Sequence, residues 1–182
     1  MAGRYEIRFS GAGGQGLILA GVIMAEAASI YDGKQAVQSQ SYGPEARGGA
    51  SKSEVIISEE SIDYPKATVV DALLALTQEA CDKYSHDLKE GGILLIDSDL
   101  VTKKPAGNFK VVSFPIINTA KNDVGREIVA NIVALGAIVA LTGVVTKESA
   151  EKAVLSRVPE AFLELNKKAF NMGYDRAIAA KG

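Results

Sequence analysis

Phe9-Ser10-Gly11-Ala12-Gly13-Gly14-Gln15-Gly16 joins two segments of different period. Before it, Tyr5-Glu6-Ile7-Arg8-Phe9 alternates its side chains two by two. After it, Leu17, Ala20, Gly21, Met24 and Ala28 recur at helical spacing. The stretch therefore predicts a strand, a tight turn and a helix, with Gly11, Gly13 and Gly16 matching G-x-G-x-x-G in the context that pattern requires. Glycines at these positions let backbone N–H groups and the positive helix end approach a phosphate closely. The same glycines would also serve a sharp turn with close helix-to-strand packing and no ligand.

Working outward, Tyr31-Asp32-Gly33 closes the first helix, with Gly33 as its left-handed C-terminal residue. Lys34 to Ser39 reads as a second strand and Val55-Ile56-Ile57 as part of a third. The segment between them lacks a helical period, whereas a parallel return usually needs a crossover helix, so strands two and three should be antiparallel and the sheet mixed. Val69 to Leu76 suits a central strand buried on both faces. Thr77 then caps a helix from Gln78 to about Leu88 that closes at Gly91-Gly92. Ile93 to Ile96 and Phe109 to Phe114 are further strands. Alternating strand and helix patterns followed by a helical last third predict an α/β fold, a three-layer αβα Rossmann-like domain with a mixed sheet. In that last third, Ile128 to Val145 reads as a buried helix rather than a membrane span, interrupted by Asn131, Thr142 and two glycines. Thr146 caps Lys147 to Arg157, and Pro159 opens a final helix whose Phe162, Leu165, Ala169 and Met172 form one core-facing stripe.

The chain of 182 residues is long enough for one domain with a sizeable core, spanning residues 1–182. Its net charge of -2 and its lack of a lysine or arginine block leave no electrostatic footprint for nucleic acid or an anionic membrane. Met1-Ala2-Gly3-Arg4 runs almost directly into the first strand, so a cytoplasmic protein without a signal peptide is expected. One cysteine, Cys81, cannot by itself hold zinc or an iron–sulfur cluster. The single His86, in a polar stretch, reads as a surface residue.

Nicotinamide-dinucleotide binding would call for an acidic residue at the end of the second strand. Asp32 precedes that strand, and Gln38-Ser39-Gln40 at its end offers no carboxylate. No Walker lysine, no G-x-S-x-G elbow and no histidine-based set is complete, so no catalytic residue is assigned. Asp97 and Asp99 at a strand end read as loop caps. Asp71, inside an apolar strand, should accept backbone hydrogen bonds near the glycine loop. The remaining informative stretch is Gln38 to Ser53. It should emerge beside the glycine loop, because both leave the C-terminal ends of the first two strands. There Arg47 suits a bidentate pair with phosphate oxygens, and Tyr42 suits packing on a base or a partner.

Together, Gly11-Ala12-Gly13-Gly14-Gln15-Gly16 and Gln40-Ser41-Tyr42-Gly43-Pro44-Glu45-Ala46-Arg47-Gly48-Gly49 closely resemble the gamma subunit of 2-oxoacid:ferredoxin oxidoreductases. The likeness continues through Asp63-Tyr64-Pro65, Asp71 to Leu76 and Asn131 to Gly136, and is greatest to the 2-oxoglutarate branch. The resemblance implies an accessory subunit in oxidative decarboxylation of a 2-oxoacid to an acyl-CoA and carbon dioxide, with reduction of ferredoxin. It implies thiamine diphosphate, magnesium and iron–sulfur clusters on alpha, beta and ferredoxin-like delta partner subunits. Coenzyme A would be held partly here, by Gly11, Gly13, Gly14, Gln15, Gly16, Tyr42, Arg47, Gly48 and Gly49. Pyruvate, 2-oxoisovalerate and indolepyruvate enzymes are the alternatives within the resemblance, and a non-catalytic scaffold is the alternative outside it. The isolated chain is expected to form a homodimer.

Overall fold

The structure is a computed structural model and describes residues 3–41 and 49–181. Strands β1 (Tyr5–Ala12), β2 (Gln35–Gln40), β3 (Ala50–Ser58), β4 (Val70–Ala75), β5 (Leu88–Asp97) and β6 (Lys110–Phe114) form one sheet in the order β2-β3-β1-β4-β5-β6. β3 runs antiparallel to both β1 and β2, while β1, β4, β5 and β6 are mutually parallel. The mixed sheet is thus as the sequence predicts. The helices are α1 (Leu17–Glu26), α2 (Gln78–Tyr84), the short α3 (Ile116–Asn118), α4 (Ala130–Thr142), α5 (Lys147–Ser156) and α6 (Leu163–Ala180).

Period-two alternation divides the apolar side chains between the two faces of the sheet. Ile7, Phe9, Val55, Leu74 and Leu95 pack with α1, α4 and α6 in the larger core, whereas Leu73, Ala75, Leu94 and Ile96 pack with Ala80, Cys81 and Tyr84 of α2. α4 is buried along nearly its whole length because it lies between the sheet and α6. Among the described residues no helix is long and apolar enough to cross a membrane. Gly136 of α4 and Gly173 of α6 mark the crossing of these helices: a Cβ on Gly136 would run into the Phe170 carbonyl oxygen, and one on Gly173 into that of Val133.

Three expectations need correction. α2 ends at Tyr84, and Gly91-Gly92 do not close it; they lie inside β5, where Gly91 takes φ +73° and the register against β4 shifts between Val70 and Ala72. Asp71 does accept a backbone hydrogen bond, but from Glu6 N–H at 2.9 Å, because parallel pairing sets Ala72 against Ile7 at the start of β1, the end opposite the glycine loop. Phe162 is not core. It stands 43% exposed ahead of α6, and the buried stripe of that helix is Asn166, Ala169, Phe170, Gly173 and Ala177. The caps agree with expectation. Thr77 and Thr146 accept from Ala80 and Ser149 N–H, and Asp97 accepts from Asp99, Leu100 and Ile117 N–H. Asp32, the residue misplaced for a ribose, instead receives Thr146 N–H, Thr146 Oγ1 and Ser149 Oγ. Burial would raise its pKa, yet those hydrogen bonds and the charge of Lys34 hold it below the ordinary value.

Candidate functional site

β1 ends at Ala12 and α1 begins at Leu17, so four residues, Gly13 to Gly16, turn the chain from sheet to helix. Gly14 and Gly16 take φ +88° and +74°, the left-handed region that favours glycine. At Gly11 space is the constraint, since a Cβ there would meet the Gln15 carboxamide and come within 2.9 Å of Leu17 Cδ1. The turn is held from within by Ala12 N–H, which donates to Gln15 Oε1 at 2.7 Å, and by Gln15 N–H, which donates to the Ala12 carbonyl at 3.3 Å. Gln15 thus spends its carboxamide oxygen on the loop itself. Gly16 is the N-cap of α1 and has no side chain to cap with, which leaves the first-turn N–H groups facing outward. Among the described residues the N–H groups of Gly14 and Gly16 find no backbone acceptor either.

Gly13 N–H donates to the Gly49 carbonyl at 3.3 Å, so the start of β3 lies against the glycine loop. The structure therefore brings Gly11, Gly13, Gly14, Gln15, Gly16 and Gly49 together. Tyr42, Arg47 and Gly48 lie outside the described residues.

Beside the loop opens a groove of about 680 Å³. Gly14, Gln15 and Gly16 form one wall, the chain from Arg126 to Ile132 leading into α4 forms a second, and Val158, Pro159, Phe162 and Leu165 form the third. The groove lies beyond the C-terminal end of β1, where open α/β sheets place their ligands. Its floor is apolar, with Ile23, Leu76 and Ile132, and its polar groups are the loop with Gln15, Asn131, Asn166, the cations Arg126 and Arg157, and one anion, Glu127. Arg157 is committed to a two-point pair with Glu26, whose pKa is lowered by that hydrogen bond while the pKa of Arg157 is raised. The side chain of Arg126 makes no hydrogen bond or ion pair among the described residues. Among those residues, too, no group of three or more His, Cys, Asp or Glu side chains is placed to hold a metal ion. His86 is surface-exposed and Cys81 is buried, its thiol pushed up to about 11 by burial and by Asp82. Neither contributes to the groove.

Sequence reasoning did not single out Asn131, Arg126 or Phe162 as groove residues. Asn131 carried a signal, an amide inside an otherwise apolar helix. Arg126 and Phe162 carried none, because their role depends on which loops the fold gathers at one sheet end.

Comparison with known proteins bears on this geometry. Residues 6–176 match the family described as pyruvate ferredoxin/flavodoxin oxidoreductase. The chain is 55% identical over 176 residues to the 2-oxoglutarate synthase subunit KorC of Methanocaldococcus jannaschii, spanning 96% of this chain and 94% of that protein. Its fold superposes with a TM-score of 0.93 on the gamma subunit of a keto/oxoacid ferredoxin oxidoreductase from Geobacter sulfurreducens, at 81% identity and covering 98% of this chain and 99% of that one. A 2-oxoglutarate:ferredoxin oxidoreductase from Magnetococcus marinus, solved with 2-oxoglutarate, coenzyme A and succinyl-CoA, shares the fold at a TM-score of 0.86 and 22% identity. That likeness covers 98% of this chain and 32% of the Magnetococcus chain. On the match to the family model and the near end-to-end identity, the chain belongs to the pyruvate ferredoxin/flavodoxin oxidoreductase family.

Proposed function

We propose that this chain is the gamma-type subunit of a 2-oxoglutarate:ferredoxin oxidoreductase and that it helps hold coenzyme A while partner subunits carry out the redox chemistry. The observation that carries the assignment is the 55% identity, over nearly the whole of both chains, to a 2-oxoglutarate synthase subunit. With a single cysteine the chain has too few thiolates for an iron–sulfur cluster, so electron transfer belongs to other subunits of the complex. Thiamine diphosphate and magnesium are likewise assigned to alpha and beta partners, and ferredoxin to a ferredoxin-like delta subunit.

The groove supports the coenzyme A role. Coenzyme A joins a phosphorylated nucleotide to a long, mostly neutral pantetheine arm. A glycine loop at a helix N-terminus receives phosphate oxygens through backbone N–H groups. Gly14 and Gly16 provide those groups at one end of an apolar trough, with Gly13 beside them, and Arg126 stands at its rim. Arg47 would add a charge-assisted pair to the same phosphates. Tyr42, Gly48 and Gly49 complete the proposed contact surface.

The test uses the complex assembled from this chain with its alpha, beta and delta subunits. Gly13→Val should block backbone approach, and Arg47→Ala should remove a pair contributing about 1.5–3 kcal/mol, roughly one to two decades in affinity. The expected result is a raised KM for coenzyme A in both variants, with little change in coenzyme-A-independent exchange of carbon dioxide into the 2-oxoacid. An unchanged KM together with lost subunit assembly would make this chain a scaffold. Oxidation of 2-oxoglutarate by the isolated chain would overturn the accessory role.

A further inference from the structure

We propose that Asn131 is a positioning residue for the glycine loop, gripping the carbonyl of Gly16 so that the loop presents its N–H groups in one fixed orientation. The proposal rests on the coenzyme A reading of the groove.

Asn131 lies in the first turn of α4, 5% exposed, and both ends of its carboxamide are in use. Oδ1 accepts Ile132 N–H at 2.9 Å, satisfying a donor in a helix turn that has no intrahelical acceptor for it. Nδ2 donates to the Gly16 carbonyl at 3.1 Å, across 115 residues of sequence. That carbonyl also accepts Ala20 N–H at 3.1 Å. A trans peptide unit is planar, with its C=O and N–H pointing in opposite directions. Two donors on the Gly16 oxygen therefore fix the plane of the Gly16–Leu17 peptide and aim Leu17 N–H away from the helix, toward the loop. Only a side chain with a donor at this reach does so, since a carboxylate or an aliphatic group of the same size offers none.

Gly16 is shaped to the same contact. A Cβ there would stand 2.6 Å from Asn131 Nδ2, so any side chain at position 16 displaces the carboxamide even before its φ of +74° is considered. Loop and amide are matched to each other, and both line the groove.

The experiment compares Asn131→Ala and Asn131→Asp in the assembled complex, with Gly13→Val in parallel. Asn131→Asp keeps the side-chain volume and the acceptor for Ile132 N–H while removing the donor to Gly16, so it carries the test should the alanine variant fail to assemble. The expected result is a KM for coenzyme A raised about three- to tenfold for Asn131→Ala, the range for losing one hydrogen bond, and more for Asn131→Asp, which adds a negative charge beside phosphate. Turnover at saturating coenzyme A should change less than twofold. A KM unchanged in both Asn131 variants but raised in Gly13→Val overturns the positioning role alone. A KM unchanged in all three overturns the coenzyme A reading with it. Turnover falling in step with thermal stability, at constant KM, would make Asn131 a fold residue only.

Discussion

Arg8 is 2% exposed in the middle of β1, yet it carries a full charge. Its Nε donates to Glu54 Oε1 at 2.7 Å and its Nη1 to Asp87 Oδ2 at 2.6 Å, while the guanidinium lies 5.3 Å from the centre of the Tyr84 ring. A buried pair of this kind roughly offsets its own desolvation, but removal of one partner leaves a charge without compensation. Arg8→Ala should therefore destabilise the protein by about 3–5 kcal/mol, read as a lowered urea midpoint. Replacing both members, as Arg8→Met with Glu54→Met, should restore part of that loss. A loss below about 1 kcal/mol in Arg8→Ala would mean that Lys52, 3.0 Å from Glu54, compensates alone.

The helices α4 and α6 pack extensively against each other, and a glycine on each side allows their backbones to meet. Alanine usually suits a helix interior better than glycine by about 0.5–1 kcal/mol. At Gly173 and Gly136 the added methyl would have to push a facing carbonyl oxygen, and overpacking of this kind typically costs about 1–3 kcal/mol. Gly136→Ala and Gly173→Ala are each expected to lower the Tm, and calorimetry on both variants checks it. A raised Tm in either would show that the helices separate freely at this crossing. Because α4 also supplies Asn131 and the wall of the groove, a displaced α4 should disturb the glycine loop as well.

For the whole molecule, the notable surface surrounds the groove. Leu19, Ile128 and Phe162 are 40%, 81% and 43% exposed around one opening. Apolar side chains gathered in this way mark surfaces that associate. We expect the isolated chain to self-associate, seen as a sedimentation coefficient that rises with concentration, and Ile128→Lys with Phe162→Lys should abolish the effect. A monomer at all concentrations for the unaltered chain would contradict it.

Local patterning in the sequence determined the strand–turn–helix at Phe9 to Leu17, the antiparallel pairing of β2 with β3, and the caps at Thr77, Thr146 and Asp97. Each depends on side-chain period or on a hydrogen bond spanning a few residues. The family was legible for a related reason, since the glycine loop and the tyrosine-to-double-glycine segment are both continuous in sequence. Tertiary structure alone decided that Arg8 is buried, because period two says only that it faces away from Ile7 and Phe9, and the second face is defined by Glu54 and Asp87, 46 and 79 residues distant. It also decided that Gly91 kinks a strand instead of ending a helix, since the bulge exists only against the β4 register. The groove is the same kind of object. Residues 14–16, 126–132 and 157–166 become neighbours only where the parallel strands of the sheet end together, and no local period encodes that meeting.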